Sequence, residues 1–173
     1  MENNSKKFYE RRSIRLPDYD YTQESLYYIT LCCQHRLKLF GEVVNSELMP
    51  NAAGKMVEEE WKALTTRFPE IRLHAYVVMP NHFHAIVEMC STEQMDSKNE
   101  KSPTLGNVIA GFKSIVTVNY IRGVKELGWQ PFDKKVWQRN YWEHIIRNDQ
   151  AYQKITDYII ENPIYWKEDD LYT

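Results

Sequence analysis

The chain has 173 residues, 43% of them hydrophobic and 27% charged, and a net charge of −2. This length and balance suffice for one domain with a buried core, exclude a disordered or fibrous polymer, and argue against indiscriminate coating of nucleic acid. No apolar run approaches the roughly 18 residues of a membrane span, and the opening MENNSKKFYERRSIRL lacks the core of a secretory signal, so a cytoplasmic protein without a membrane partner is expected.

Residues 1–25 form an expected basic arm, in which Lys6, Lys7, Arg11, Arg12 and Arg15 concentrate positive charge able to seek phosphates. LYYITLCCQ (26–34) is aromatic and β-favouring and predicts a strand. Its Cys32 and Cys33, with Cys90, make an odd set without paired spacing, which argues for free thiols. NAAGKMVEEEWKALTTRF (51–68) follows with Asn51 as N-cap and Met56, Val57, Trp61 and Leu64 at helical intervals. Two strands are predicted at 71–79 and 82–89, joined through the turn-forming pair Pro80-Asn81. The stretch 90–103 is too polar to pack and is expected to be a mobile loop. A second helix over 104–121 carries Thr104 as cap and Leu105, Val108, Ile109, Phe112 and Ile115 on one side. WQRNYWEHIIR (137–147) predicts a fourth strand, and 148–162 a third helix stopped by Pro163.

The order β-α-β-β-α-β-α predicts an α+β fold: a ferredoxin-like antiparallel sheet (β-α-β-β-α-β) with an additional C-terminal helix for the face that the other helices leave open. The expected organisation is the arm (1–25), one catalytic domain (26–165) and a short tail (166–173).

The chemistry is concentrated in HFHAIVEM. Side chains alternate along a strand, so Phe83, Ala85, Val87 and Met89 form an apolar side while His82 and His84 share the other with Ile86 and Glu88. Two imidazoles about 6 to 7 Å apart along a strand can converge on one divalent ion. Tyr158 and Asn162, four apart, share one face of the last helix. If that face meets the histidines, a phenol and an amide oxygen arrive beside a cation. Glu161 is an alternative anionic ligand, since a carboxylate suits a hard ion better than an amide. A nearby cation favours the phenolate and polarises an electrophile, which fits nucleophilic attack on a phosphodiester.

PNHFHAIVE, followed by WQRNYWEHIIRN and ITDYIIENP, resembles the HUH single-tyrosine transposases, and among them the REP-associated tyrosine transposases; RRSIRLPDYDYTQESLYYIT and GFKSIVT are also similar to that branch. The resemblance implies a DNA-nicking and strand-transferring enzyme acting on single-stranded or hairpin DNA, including palindromic repeats. It implies Tyr158 as the nucleophile that forms a 5′-phosphotyrosine, and His82, His84 and Asn162 as ligands of Mg²⁺ or Mn²⁺. Tyr152 and Tyr165 are the competing tyrosines. Lys113, Arg139 and Arg147 become candidate DNA contacts, with Arg11, Arg12 and Arg15 at the base of a hairpin, and Trp137, Tyr141 and Trp142 candidate stacking rings. The protein would act as a monomer or homodimer, with the site expected within one chain. The alternatives are a domesticated, non-cleaving binder of structured DNA repeats and a histidine-metal hydrolase of small substrates.

Overall fold

The computed structural model describes residues 25–90 and 103–172. The predicted arm with Arg11, Arg12 and Arg15, and nearly all of the predicted polar loop, lie outside the described residues. Four strands form the main sheet: β1 (Ser25–Cys32), β4 (Ile71–Val78), β5 (His82–Met89) and β6 (Trp142–Ile146), in the order β4-β5-β1-β6. Every neighbouring pair is antiparallel, so the predicted ferredoxin-like order is the one observed. A separate hairpin, β2 (Gly41–Val44) and β3 (Glu47–Pro50), was not predicted. It turns on Asn45 and Ser46, both with positive φ (52° and 65°). This is the primed type of two-residue turn, usually signalled by a glycine that is missing here.

One face of the sheet carries the main core. Tyr27, Ile29 and Leu31 of β1 and Phe83, Ala85, Val87 and Met89 of β5 pack there against α1 (Ala52–Lys62) and α3 (Leu105–Leu127). Asn51 caps α1 as expected, its side-chain oxygen accepting from the Gly54 amide at 2.9 Å. The predicted single helix is divided at Ala63, which stays in helical conformation before the short α2 (Leu64–Arg67). A Cβ at Gly54 would collide with the carbonyl oxygen of Phe40, and backbone has no rotamer with which to yield. Gly54→Ala is therefore expected to destabilise the protein by about 1 to 3 kcal/mol, read as a lower midpoint in thermal unfolding.

Helix α3 is opened by a capping box between Thr104 and Asn107. It runs to Leu127 rather than Ile121 because Gly123, internal to the helix, makes room for the Trp129 ring, and the left-handed residue that ends it is Gly128 (φ 68°). Strand β6 is shorter than predicted: Trp137 makes only an isolated bridge to Cys33, and regular pairing with β1 starts at Trp142.

The other face is covered by α4 (Asp149–Glu161), capped by Asn148, whose side chain accepts from the Ala151 amide at 2.8 Å. Ile155 and Ile159 pack there against Val77, Ile86 and Ile146, forming a second, smaller core. A polar latch adds direction: His74 Nε2–H donates to Glu88 at 3.0 Å, and the Tyr152 hydroxyl donates to His74 Nδ1 at 3.0 Å. His74 faces α4 by alternation from Leu73, and the register of β4 on β5 then shifts before Tyr76, a β-bulge that turns Tyr76 to the main core. Asn162 keeps helical dihedrals (φ −52°, ψ −39°) despite the following proline. The chain then reverses through a turn at Trp166–Glu168 and brings Asp169 back against the sheet. Among the described residues no helix is long and apolar enough to cross a membrane.

Candidate active site

Strand β5 presents both histidines to the α4 side, where His84 lies opposite Thr30 and His82 opposite Cys32. His82 is 0% and His84 2% exposed, with ring centroids 4.5 Å apart. Their neighbours fix what the rings offer. The Asn81 amide nitrogen donates to the Leu171 carbonyl at 2.8 Å, which turns its oxygen towards His82 Nδ1, also at 2.8 Å. An amide oxygen only accepts, so Nδ1 carries the proton and Nε2 keeps its lone pair. His84 Nδ1 has the Tyr28 and Thr30 hydroxyl oxygens at 2.7 and 2.8 Å, and when it donates to them its Nε2 is likewise a free acceptor. Burial drives both imidazoles towards the neutral form. It lowers His82 to about 4 against the upward pull of the Asp169 carboxylate, and lowers His84 well below its ordinary range, with His82 adding to the effect.

Helix α4 brings Tyr158 and Asn162 to this point on one face. The Tyr158 ring stands edge-on to His84 at 5.4 Å, yet the residue is 45% exposed and lines the cleft. The Asn162 amide nitrogen donates to Asp169 Oδ2 at 2.8 Å, and the Tyr158 hydroxyl donates to the same oxygen at 3.2 Å. Burial first, then the charge and hydrogen bond of Asp169, push the Tyr158 phenol up to about 12. With its nitrogen committed to Asp169, Asn162 turns its oxygen inward.

Three buried acceptors are then left without a donor: His82 Nε2, His84 Nε2 and Asn162 Oδ1. Each such group costs roughly 1 to 3 kcal/mol when buried unsatisfied, and acceptors cannot satisfy one another. A cation shared among them would satisfy acceptors of this kind. Potential ligand atoms of His82, His84 and Asp169 lie within 4.8 Å of one another, a set that can hold a metal ion.

No family model matches the chain. An uncharacterised protein of Haemophilus influenzae is 39% identical over 178 residues, 95% of this chain and 94% of that protein. A second H. influenzae protein, provisionally named a REP-associated tyrosine transposase, is 25% identical over 148 residues, 84% of this chain and 73% of that one. Among solved structures, a REP-associated tyrosine transposase bound to a REP hairpin matches with a TM-score of 0.58 and 21% identity, over 92% of this chain and 74% of that one, a likeness of fold. The chain is of one family with the 39% identical H. influenzae protein, and it resembles the REP-associated tyrosine transposases.

The expected residues distribute unevenly. The two histidines, Tyr158 and Asn162 converge, whereas Glu161 is exposed and outside the cluster, its expected position taken by Asp169. Tyr152 is committed to His74, and Tyr165 is exposed with no contact to the histidines given by the ring geometry. Lys113 donates from Nζ to the carbonyls of Gln138 and Arg139 at 2.6 and 3.1 Å, pinning that segment to α3; burial, then Lys135, lowers it to about 8. Arg139 and Arg147 are exposed. Trp137 is buried against Phe40 and Phe112, a core ring rather than a stacking platform. Tyr141 and Trp142 line a cleft of about 490 Å³ that also contains His84, Tyr158 and Asp169.

Sequence reasoning missed Asp169, Asn81, Tyr28 and Thr30. The last two were within reach, since residues of β1 on the histidine side follow from alternation once the pairing of β1 with β5 is assumed. Asp169 has no local signal beyond the three consecutive acidic residues in WKEDDLYT.

Proposed function

We propose that the chain is a metal-dependent transposase-type nuclease that nicks single-stranded or hairpin DNA and transfers strands through a 5′-phosphotyrosine on Tyr158. The observation that carries this reading is the set of donorless acceptors, His82 Nε2, His84 Nε2 and Asn162 Oδ1, beside the half-exposed Tyr158. These three atoms, with the Asp169 carboxylate, would hold Mg²⁺ or Mn²⁺. The ion, when bound, supplies neutralisation of charge on the phosphoryl oxygens.

Tyr158 Oη attacks the phosphorus; the new P–O bond forms as the bond to the 3′-oxygen breaks, and the leaving oxygen takes up a proton to become a 3′-hydroxyl. Asp169 Oδ2, which already accepts the hydrogen bond of Tyr158, is the group positioned to receive the phenolic proton. Attack of a 3′-hydroxyl on the phosphotyrosine reverses these bonds and joins strands. A hairpin is the favoured substrate because the solved relative of like fold is bound to a REP hairpin. Every component comes from one chain, which supports catalysis in cis by a monomer.

Incubation with Mn²⁺ and a hairpin-bearing single-stranded oligonucleotide is expected to give a protein–DNA adduct that survives denaturing electrophoresis and fails to form when a chelator is present. Tight binding of that DNA with neither adduct nor cleavage product would instead identify a non-cleaving binder.

A further inference from the structure

A second hollow, of about 570 Å³, lies between α3 and the segment that leads into β6. Its volume falls within the roughly 300 to 1,000 Å³ of small-ligand sites. Its charge is one-sided: Lys113, Lys134, Lys135 and Arg139 line it, and no carboxylate does, in a chain whose net charge is −2. None of these four forms an ion pair among the described residues. Lys134 is held with positive φ (60°), a conformation uncommon for a lysine. The floor is apolar and open, with Val118 57% exposed. The hollow adjoins the cleft of Tyr158, since Gln138 and Tyr141 line both.

We infer that this recess binds one single-stranded nucleotide adjoining the scissile phosphate, with its phosphate among Lys134, Lys135 and Arg139 and its base against Val118 and the Tyr141 ring. The inference rests on the DNA-cleaving reading of the neighbouring cleft and adds to it a place and a direction for the strand. A strand lying over Tyr158 passes Tyr141 next, and the first cationic ground beyond that ring is this hollow. An apolar floor under a cationic rim matches a nucleotide, which has a stacking face and a charged end. The Lys113 bonds to the Gln138 and Arg139 carbonyls hold the shared wall in place without a ligand.

The test compares two labelled oligonucleotides in fluorescence anisotropy: one hairpin, blunt or extended by a short single strand. The wild-type protein is expected to bind the extended form at least about tenfold more tightly. Lys134→Glu with Lys135→Glu, which reverses the rim, and Val118→Trp, which fills the floor without changing charge, are each expected to erase most of that ratio. Thermal unfolding verifies that both variants fold. A ratio preserved in both variants, or affinities that fall equally for both oligonucleotides, overturns the recess while leaving the DNA reading intact. Equal wild-type affinity for the two forms does the same. No binding of either form by the wild-type protein overturns both.

Discussion

Replacing Tyr158 with phenylalanine is expected to lower covalent adduct formation on a hairpin oligonucleotide by at least about 10³-fold, the scale of losing a reacting nucleophile. The substitution is clean because only Oη disappears. The ring keeps its edge contacts with His84 and Tyr28, and the lost hydrogen bond to Asp169 is long (3.2 Å) and on a partly exposed residue. Stability should change by less than about 1 kcal/mol, so thermal unfolding and DNA affinity serve as internal controls. The Tyr28 hydroxyl is engaged with His84 Nδ1 and that of Tyr152 with His74, so neither is free to take its place. Adduct formation at the wild-type rate by Tyr158→Phe would remove Tyr158 from the mechanism.

The second large effect concerns the imidazoles. Titrating the wild-type protein with Mn²⁺ to about a hundred times the dissociation constant should stabilise it by about 2.7 kcal/mol through mass action, seen as a rise in the unfolding midpoint. His84→Ala deletes one of the donorless nitrogens and should abolish that rise over the same range. Two imidazoles in the ligand set also favour Mn²⁺ over Mg²⁺, so the midpoint should respond to lower concentrations of manganese. The metal-free protein should show a matching dependence on acid. Burial holds the folded His82 at about 4, below its ordinary 6.5, so between these values the unfolded chain binds more protons. Stability is then full above about pH 6.5 and falls as the pH drops towards 4. His82→Leu should flatten that slope. A melting midpoint of the wild-type protein that stays constant from pH 6.5 to 4 would contradict the buried, neutral imidazoles.

How far the sequence anticipates this site depends on whether each residue's position follows from local periodicity. Strand alternation alone puts His82 and His84 on one face and Phe83, Ala85, Val87 and Met89 on the other, and the two faces meet different helices as that pattern requires. Helix periodicity joins Tyr158 to Asn162, and Asn51, Thr104 and Asn148 announce the helix starts by their side-chain chemistry. The features that escape are those created by long-range return of the chain. Asp169 reaches the histidines only because the backbone reverses after α4, and the acceptors it leaves inward-facing cannot be anticipated without it. Asn45 and Ser46 form a tight hairpin with serine where glycine is the usual signal. The helix expected to end at residue 121 runs on past Gly123, which seats the indole of Trp129.

The register shift between Leu73 and Tyr76 makes the parity of this sheet edge depend on a single additional residue. Ahead of it Ile71 and Leu73 point to the main core, and beyond it Tyr76 and Val78 do, so odd and even positions exchange roles halfway along one strand. Removing that residue, as in a deletion of Ala75, would restore plain alternation, with Leu73 and Tyr76 still on the main core and His74 still on the side of Tyr152. This edge therefore absorbs the loss of one residue at the bulge, whereas the same loss elsewhere in β4 would carry half of its apolar side chains to the opposite layer.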